Sequence, residues 1–73
     1  MDYTITAPVI LQFDRVGYEE EPIRAYVTAE TREKAVELFQ EEAYAILVES
    51  GNCAGVDFYP YSEFAEKYEI VEE

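Results

Sequence analysis

The sequence predicts a two-layer α+β sandwich in which one helix covers a three- or four-stranded antiparallel sheet. Three observations lead to this prediction: an alternating apolar segment near the start, a second alternating segment after an acidic turn, and one long segment with helical periodicity. A chain of 73 residues buries only about 60% of the surface that its unfolded state exposes, so a thin core is expected. We therefore predict a single domain over residues 1–73.

The first strand is predicted over residues 3–13, where apolar side chains occupy nearly every second position. Alternation with period two places these side chains on one face of a strand. Ile10 interrupts the alternation, and Pro8 cannot donate a backbone hydrogen bond. We therefore expect either a bulge at Pro8 or an edge position for this residue.

A turn and a second strand are predicted to follow. Residues 14–21 contain Gly17 and three consecutive carboxylates before Pro22, which is typical of an exposed turn. Apolar and polar residues alternate again over residues 23–29, so this strand should form an antiparallel hairpin with the first. The connection is longer than a two-residue turn, which leaves open a mobile tip or a ribbon that extends both strands.

One helix is predicted within residues 31–50 and should end close to Glu49. Thr31 can cap the first turn with its side-chain oxygen, and Gly51 offers a left-handed exit. At about 100° per residue, six apolar side chains fall on one stripe that should face the sheet. These residues are Ala35, Val36, Phe39, Ala43, Ile46 and Leu47.

The remaining strands are predicted at residues 56–59 and 68–71. Pro60 ends the first of them, and Ser62 can cap a single helical turn over residues 63–67. The alternative for residues 61–68 is an irregular loop. The predicted order is therefore strand, strand, helix, strand, followed by a short helix and a final strand if the capped turn forms.

The charge of the chain is strongly one-sided, with 17 acidic and 5 basic residues and a formal net charge of −12. Seven Tyr and four Phe provide more apolar material than an acidic disordered tail carries, so we expect the chain to fold. This charge disfavours direct contact with nucleic acid or with an anionic membrane. It serves either solubility or the binding of a basic partner.

The sequence contains no pattern typical of a catalytic or metal site. His is absent, which removes the commonest general base and zinc ligand, and Cys53 is a lone thiol without a cationic neighbour. The carboxylates lie on solvated segments without a calcium-loop pattern. We expect neither an enzyme nor a bound cofactor or metal. Because the chain also lacks a long apolar run and a cysteine cluster, we expect a cytoplasmic protein without disulfides.

The outer face of the helix carries Glu33, Glu37 and Glu41 at successive spacings of four, and Tyr44 continues this line. We name these four residues the acidic ridge. Carboxylates with this spacing lie about 6 Å apart along the axis, a distance of the same order as that between successive phosphates. The ridge is either a solvated surface or a site that pairs with Arg and Lys while Tyr44 adds apolar contact area.

A second acidic group extends the predicted partner-binding site. Glu19, Glu20 and Glu21 follow Tyr18 in the predicted turn, where they could meet the same basic partner as the ridge. Other tyrosines are expected to complete the core with their hydroxyl groups in water. These are Tyr3, Tyr26 and Tyr59.

The segment IRAYVTAETREKAVELFQEEA contains a strand that ends in a V-x-A step and a helix that starts with E-x-A, formed by Val27, Ala29, Thr31, Glu33 and Ala35. In this segment the chain resembles small β-β-α proteins of phages and mobile elements, including the family named for DpnD and PcfM. The resemblance implies a fold and a mobile-element origin, and it transfers no catalytic residue. In size, acidity and tyrosine content the chain is also similar to phage-encoded DNA mimics that inhibit restriction and CRISPR systems.

These observations lead to two functional hypotheses. The first is a non-enzymatic inhibitor of phage type, such as an anti-CRISPR, that acts in the host cytosol by blocking a basic, nucleic-acid-binding surface of another protein. The second is an accessory module that pairs through a strand edge, with itself or with a host protein, and uses its charge for solubility. The salt dependence of binding distinguishes the two hypotheses, because pairing between charged surfaces weakens as the salt concentration rises.

Overall fold

A computed structural model describes residues 1–15 and 17–73; Val16, which belongs to the predicted turn, lies outside the described residues. One α helix lies on a four-stranded antiparallel sheet, which confirms the predicted two-layer α+β sandwich. In chain order the elements are β1 (Asp2–Phe13), β2 (Gly17–Thr28), α1 (Arg32–Tyr44), a π-helical turn (Ala45–Glu49), β3 (Gly55–Phe58), a 3-10 turn (Ala65–Lys67) and β4 (Glu69–Glu72).

The sheet is built around β1. Strand β2 pairs with one edge of β1 over its full length, from Asp2 opposite Thr28 to Phe13 opposite Gly17. Strands β3 and β4 both pair with the other edge, β3 along residues 9–12 and β4 along residues 3–6. They therefore lie in line with each other, and residues 59–68, which we call the β3–β4 loop, leave the sheet between them.

Pro8 of β1 lies at the gap between the segments that pair with β3 and with β4. Its partner in β2 is Pro22, and the backbone groups of both residues point away from the β1–β2 ladder, so their missing N–H groups remove no hydrogen bond between these two strands. On the other side, the pairing with β4 ends at Thr6 and the pairing with β3 begins at Val9. Pro8 thus occupies a local edge, one of its two predicted positions, in a register that continues without a bulge.

Strand β2 is longer than predicted. It begins at Gly17 instead of residue 23, so the three carboxylates at 19–21 belong to a strand; they are exposed as predicted, but the prediction of a turn over these positions is wrong. Of the two forms left open for this connection, a mobile tip or a ribbon that extends both strands, the structure adopts the ribbon. Gly17 has φ +89°, a left-handed conformation that favours glycine, at the point where the chain returns from β1. Charged residues are tolerated here because this end of β2 is exposed.

The helix buries most of its predicted stripe. Ala35, Val36, Phe39, Ala43 and Leu47 are all buried, in one core with the odd-numbered residues of β1 and with Ala25 of β2. Ile46, which was predicted to share this stripe, is 47% exposed, so that part of the prediction is wrong. The reason is the π-helical turn, in which each residue advances less around the axis than in an α helix. Ile46 therefore stops short of the core, while Leu47 still reaches it.

Both ends of the helical segment are capped as predicted. The Thr31 hydroxyl oxygen accepts a hydrogen bond from the backbone N–H of Lys34 at 3.1 Å. At the other end, Gly51 has φ +84°, and the side chain of Asn52 donates to the carbonyl of Ile46 at 3.2 Å. These caps satisfy polar groups that the helix leaves without internal partners.

Thr31→Ala is expected to lower the free energy of unfolding by about 1 kcal/mol, because it removes the acceptor for an N–H group of the first turn. Urea melts followed by circular dichroism measure this change. Thr31→Ser keeps the acceptor and serves as the control, with an unfolding midpoint close to that of the wild type. Equal losses in both variants would contradict a capping role.

The C-terminal part differs from the prediction in detail. Strand β3 ends at Phe58, one residue early, and the short helix is a 3-10 turn at Ala65–Lys67 without a side-chain cap, so Ser62 does not cap it. The final strand exists and is β4. Tyr68 precedes it and is buried. Within residues 1–15 and 17–73, no helix is long and apolar enough to cross a membrane.

Candidate functional site

The acidic ridge lies on the outside of the molecule. Glu33, Glu37, Glu41 and Tyr44 are all exposed, on the side of α1 opposite to the buried stripe. A helix anchored through Phe39 and Ala43 holds these side chains in a fixed row. The spacing of four residues gives about 6 Å between successive positions along the axis.

An open groove of about 520 Å³ runs along this face of the helix. Glu37, Glu41 and Tyr44 of the ridge line it, together with Lys34, Gln40 and Glu49. Lys34, Gln40 and Glu49 are not among the predicted site residues. Helical periodicity indicates that Gln40 borders the ridge, whereas Glu49 would lie away from it in a regular α helix. The π-helical turn reduces the rotation per residue and brings Glu49 to the ridge side.

The ridge has little internal charge compensation. Lys34 Nζ lies 3.8 Å from a carboxylate oxygen of Glu37, and both side chains are exposed. This is the only ion pair in the part of the chain that the structure describes. An exposed pair of this kind contributes at most about 1 kcal/mol, because solvent screens it. The ridge carboxylates are therefore available to a cation from outside.

The second acidic group does not form one patch. Residues directly opposite each other in an antiparallel pair place their side chains on the same face of the sheet. Glu19 and Glu21 lie opposite Leu11 and Val9, so they point to the face that carries α1. Glu20 lies between them and points to the face without a helix, which we call the open face. The structure thus separates Glu20 from the other predicted site residues.

Glu20 is engaged on the open face by the β3–β4 loop. The Tyr59 hydroxyl donates a hydrogen bond of 2.5 Å to Glu20 Oε1, and Lys67 Nζ lies 4.6 Å from the centre of the Tyr59 ring. The Tyr68 hydroxyl donates to the carbonyl of Tyr59 at 2.6 Å and accepts from the side chain of Gln40 at 3.2 Å. The two ends of the loop are therefore tied to each other, to β2 and to α1.

The three tyrosines assigned to the core are placed differently by the structure. Tyr3 is buried, which confirms its assignment, and Tyr59 is half-buried. Tyr26 is 73% exposed, so its assignment to the core is wrong. It lies opposite Thr4 and points to the open face, where no helix covers it.

Tyr59 and Tyr68 are expected to titrate at higher pH than an ordinary tyrosine. The hydrogen bond to Glu20, followed by partial burial and the charge of that carboxylate, raises the pKa of Tyr59 above 10. Burial raises the pKa of Tyr68, and the hydrogen bond from Gln40 partly opposes it. Because the folded state holds these protons more tightly than the unfolded state, stability should fall as the pH rises above about 10.

Absorbance of tyrosinate followed during an alkaline titration tests this expectation. Tyr59→Phe and Tyr68→Phe should each remove a phenol whose pKa lies above the ordinary value for tyrosine. Difference curves centred at the ordinary value for both variants would contradict the assigned contacts.

The remaining candidate for chemistry is Cys53, which is half-buried. Its sulfur lies 3.5 Å from the carbonyl oxygen of Leu47 and 3.4 Å from that of Gly55, contacts in which a thiol acts as a weak donor. Among residues 1–15 and 17–73, no group of three or more carboxylate or thiol side chains is placed to hold a metal ion.

Comparisons of the chain with models of protein families, with curated proteins and with solved structures found no match.

Proposed function

We propose that this protein is a non-enzymatic interaction protein that binds a basic, nucleic-acid-binding surface of another protein and blocks it. The observation that carries this proposal is the acidic ridge itself. Three carboxylates, one helical turn apart, stand exposed on a helix that is anchored in the core, and Tyr44 stands at the end of the row.

The physical basis is competition with phosphates. A surface of Arg and Lys that binds a nucleic-acid strand meets negative charges at regular intervals. Carboxylates about 6 Å apart offer charges at a spacing of the same order, and they come on a folded support that loses little conformational entropy on binding. Tyr44 supplies apolar area beside the charges, and tyrosine is one of the residue types enriched at interaction hot spots.

The net charge of −12 supports the same partner class through long-range attraction. Complementary charge raises the association rate of two proteins, and the effect weakens as salt rises. We extend the proposal to a biological class, the phage-encoded inhibitors of host defence such as anti-CRISPR proteins. In that setting the protein would act in the cytosol of the host cell.

The experiment that tests this proposal is affinity capture from a bacterial lysate on the immobilised protein, with elution by rising salt. We expect a nucleic-acid-binding protein that is retained at about 0.05 M salt and released well below about 1 M, because the contact consists of exposed charges. The purified partner should lose its nucleic acid when this protein is added. Partners that elute independently of salt, or that bind both molecules at once, would contradict the proposal.

A further inference from the structure

Strand β2 has one edge without a partner. Its inner edge pairs with β1 along the whole strand, and no other strand of the described chain pairs with its outer edge. A strand edge of this kind presents a row of backbone donors and acceptors that can pair with another chain.

Two hydrogen bonds identify the residues that face this outer edge. The N–H of Ala29 donates to the carbonyl of Met1 at 3.0 Å. The backbone groups of odd-numbered residues in β1 and β2 therefore form the hydrogen bonds between these two strands. The N–H of Glu73 donates to the carbonyl of Asp2 at 2.8 Å, so even-numbered residues of β1 bond on the opposite side. In β2, backbone groups of even-numbered residues therefore point outward. These residues are Tyr18, Glu20, Pro22, Arg24, Tyr26 and Thr28.

Pro22 divides the outer edge into two parts, because it has no N–H group to donate. The part before it contains Glu19, Glu20 and Glu21, whose charges repel a second acidic strand. The part after it, residues 23–28, retains its donors and contains one basic residue, Arg24, and no acidic one.

Residues 23–27, with the sequence Ile-Arg-Ala-Tyr-Val, are self-complementary about their central residue. We propose that two copies of this chain form a dimer by antiparallel pairing of their β2 outer edges, with the two-fold axis at Ala25. Ile23 then lies opposite Val27 of the second copy, and Arg24 lies opposite Tyr26. The result is one continuous sheet across both subunits.

The side chains fit this register on both faces of the sheet. Ile23 and Val27 point to the face that carries α1 and are only half-buried in one copy, so their mutual contact removes apolar surface from water. On the open face, Tyr26 is 73% exposed beside the exposed Arg24. Pairing places the guanidinium group of each copy next to the tyrosine ring of the other, a favourable cation–π arrangement.

Registers centred closer to the start of β2 meet specific obstacles. A two-fold axis at Pro22 places two prolines in a position that requires two donors, and an axis at Arg24 places two like charges opposite each other. An axis at Ile23 puts Glu21 and Glu19 against the apolar residues Ala25 and Val27. The register centred on Ala25 leaves all three glutamates of β2 outside the paired strands.

The dimer does not depend on the acidic ridge, and salt distinguishes the two interactions. Each copy carries a net charge of −12, so the copies repel one another at low salt. Screening should therefore strengthen the dimer, whereas it should weaken the binding of a basic partner to the ridge. Loss of one interaction leaves the other measurable.

The first test uses proline as a block on the outer edge. Tyr26→Pro removes an outward N–H donor inside the paired segment without affecting a bond to β1, and Tyr18→Pro does the same outside that segment. Light scattering coupled to size exclusion should give a dimer for the wild type and for Tyr18→Pro, and a monomer for Tyr26→Pro, all with the same circular dichroism. A monomeric wild type, or a dimeric Tyr26→Pro, would overturn the proposal.

The second test measures the register by disulfide formation in a Cys53→Ser background. The double variant Arg24→Cys with Tyr26→Cys should form a covalent dimer on mild oxidation, because directly opposite residues lie about 5.5 Å apart at Cα, within disulfide range. Each single variant should stay unlinked. A covalent dimer from Arg24→Cys alone or Tyr26→Cys alone would place the two-fold axis elsewhere and overturn this register, as would the absence of a covalent dimer in the double variant.

Discussion

Phe39→Ala is expected to lower the free energy of unfolding by about 3 to 5 kcal/mol. The Phe39 side chain is fully buried at the centre of the single core. Its ring meets the rings of Phe58 and Tyr68 edge to face, with centroids 6.4 and 6.1 Å away. It therefore joins α1 to β3 and to the end of the β3–β4 loop, and its removal leaves a cavity that a thin core cannot refill.

Urea melts at neutral pH measure this loss. Small domains have about 5 to 15 kcal/mol of total stability, so Phe39→Ala should unfold at much lower urea than the wild type or be partly unfolded without urea. Tyr44→Ala, an exposed position of the same helix, is the matched control and should change stability little. Equal midpoints for Phe39→Ala and the wild type would show that the buried face of α1 is assigned wrongly.

The double substitution Glu37→Lys with Glu41→Lys is expected to weaken binding of the basic partner by at least about 100-fold. Two attractive contacts become repulsive ones, and opposing like charges at an interface cost several kcal/mol. Both side chains are exposed, so the fold should persist with an unchanged circular dichroism spectrum. Titration calorimetry or surface binding with the captured partner measures the change.

Glu63→Lys with Glu72→Lys is the matched control for this result. Both positions are exposed and lie outside α1, and the double substitution changes the net charge of −12 by the same amount. It should reduce affinity only slightly, through the weaker long-range attraction. Equal losses from both double variants would mean that overall charge, and not the ridge, determines binding.

Local periodicity was sufficient to predict the main elements. The period of two over β1 identifies its buried row, and the helical period over residues 35–43 identifies the buried side of α1. Thr31 marks the start of the helical segment because its side chain accepts a hydrogen bond from a backbone N–H group of the first turn. Gly51 marks the end because glycine permits the left-handed conformation found there. Each of these signals depends only on neighbouring residues, which is why the sequence alone reveals it.

Long-range arrangement could not be predicted in the same way. The pairing of β3 and β4 with one edge of β1, and the position of Pro8 between them, depend on contacts between distant segments. The charges of residues 19–21 favoured a loop, yet an exposed edge strand tolerates them. The π-helical turn has no strong local sequence signal, and it changes the directions of both Ile46 and Glu49.

The candidate site was predictable in part. A spacing of four on a helix was enough to align the ridge, and the same periodicity places Gln40 beside it, whereas Glu49 became part of the groove only through the π-helical turn. Glu19, Glu20 and Glu21 were grouped because they are adjacent in sequence. In a strand, adjacency places neighbours on opposite faces, and Glu20 is accordingly bound to Tyr59 on the open face.

Competition between this protein and nucleic acid for one partner is the most direct measurement of the proposed function. Fluorescence anisotropy of a labelled duplex bound to the captured partner should fall to the value of the unbound duplex as the wild-type protein is added. The Glu37→Lys and Glu41→Lys double variant should leave it high. If the wild-type protein binds the partner and the anisotropy stays at or above the value of the complex, the acidic ridge does not occupy the nucleic-acid site.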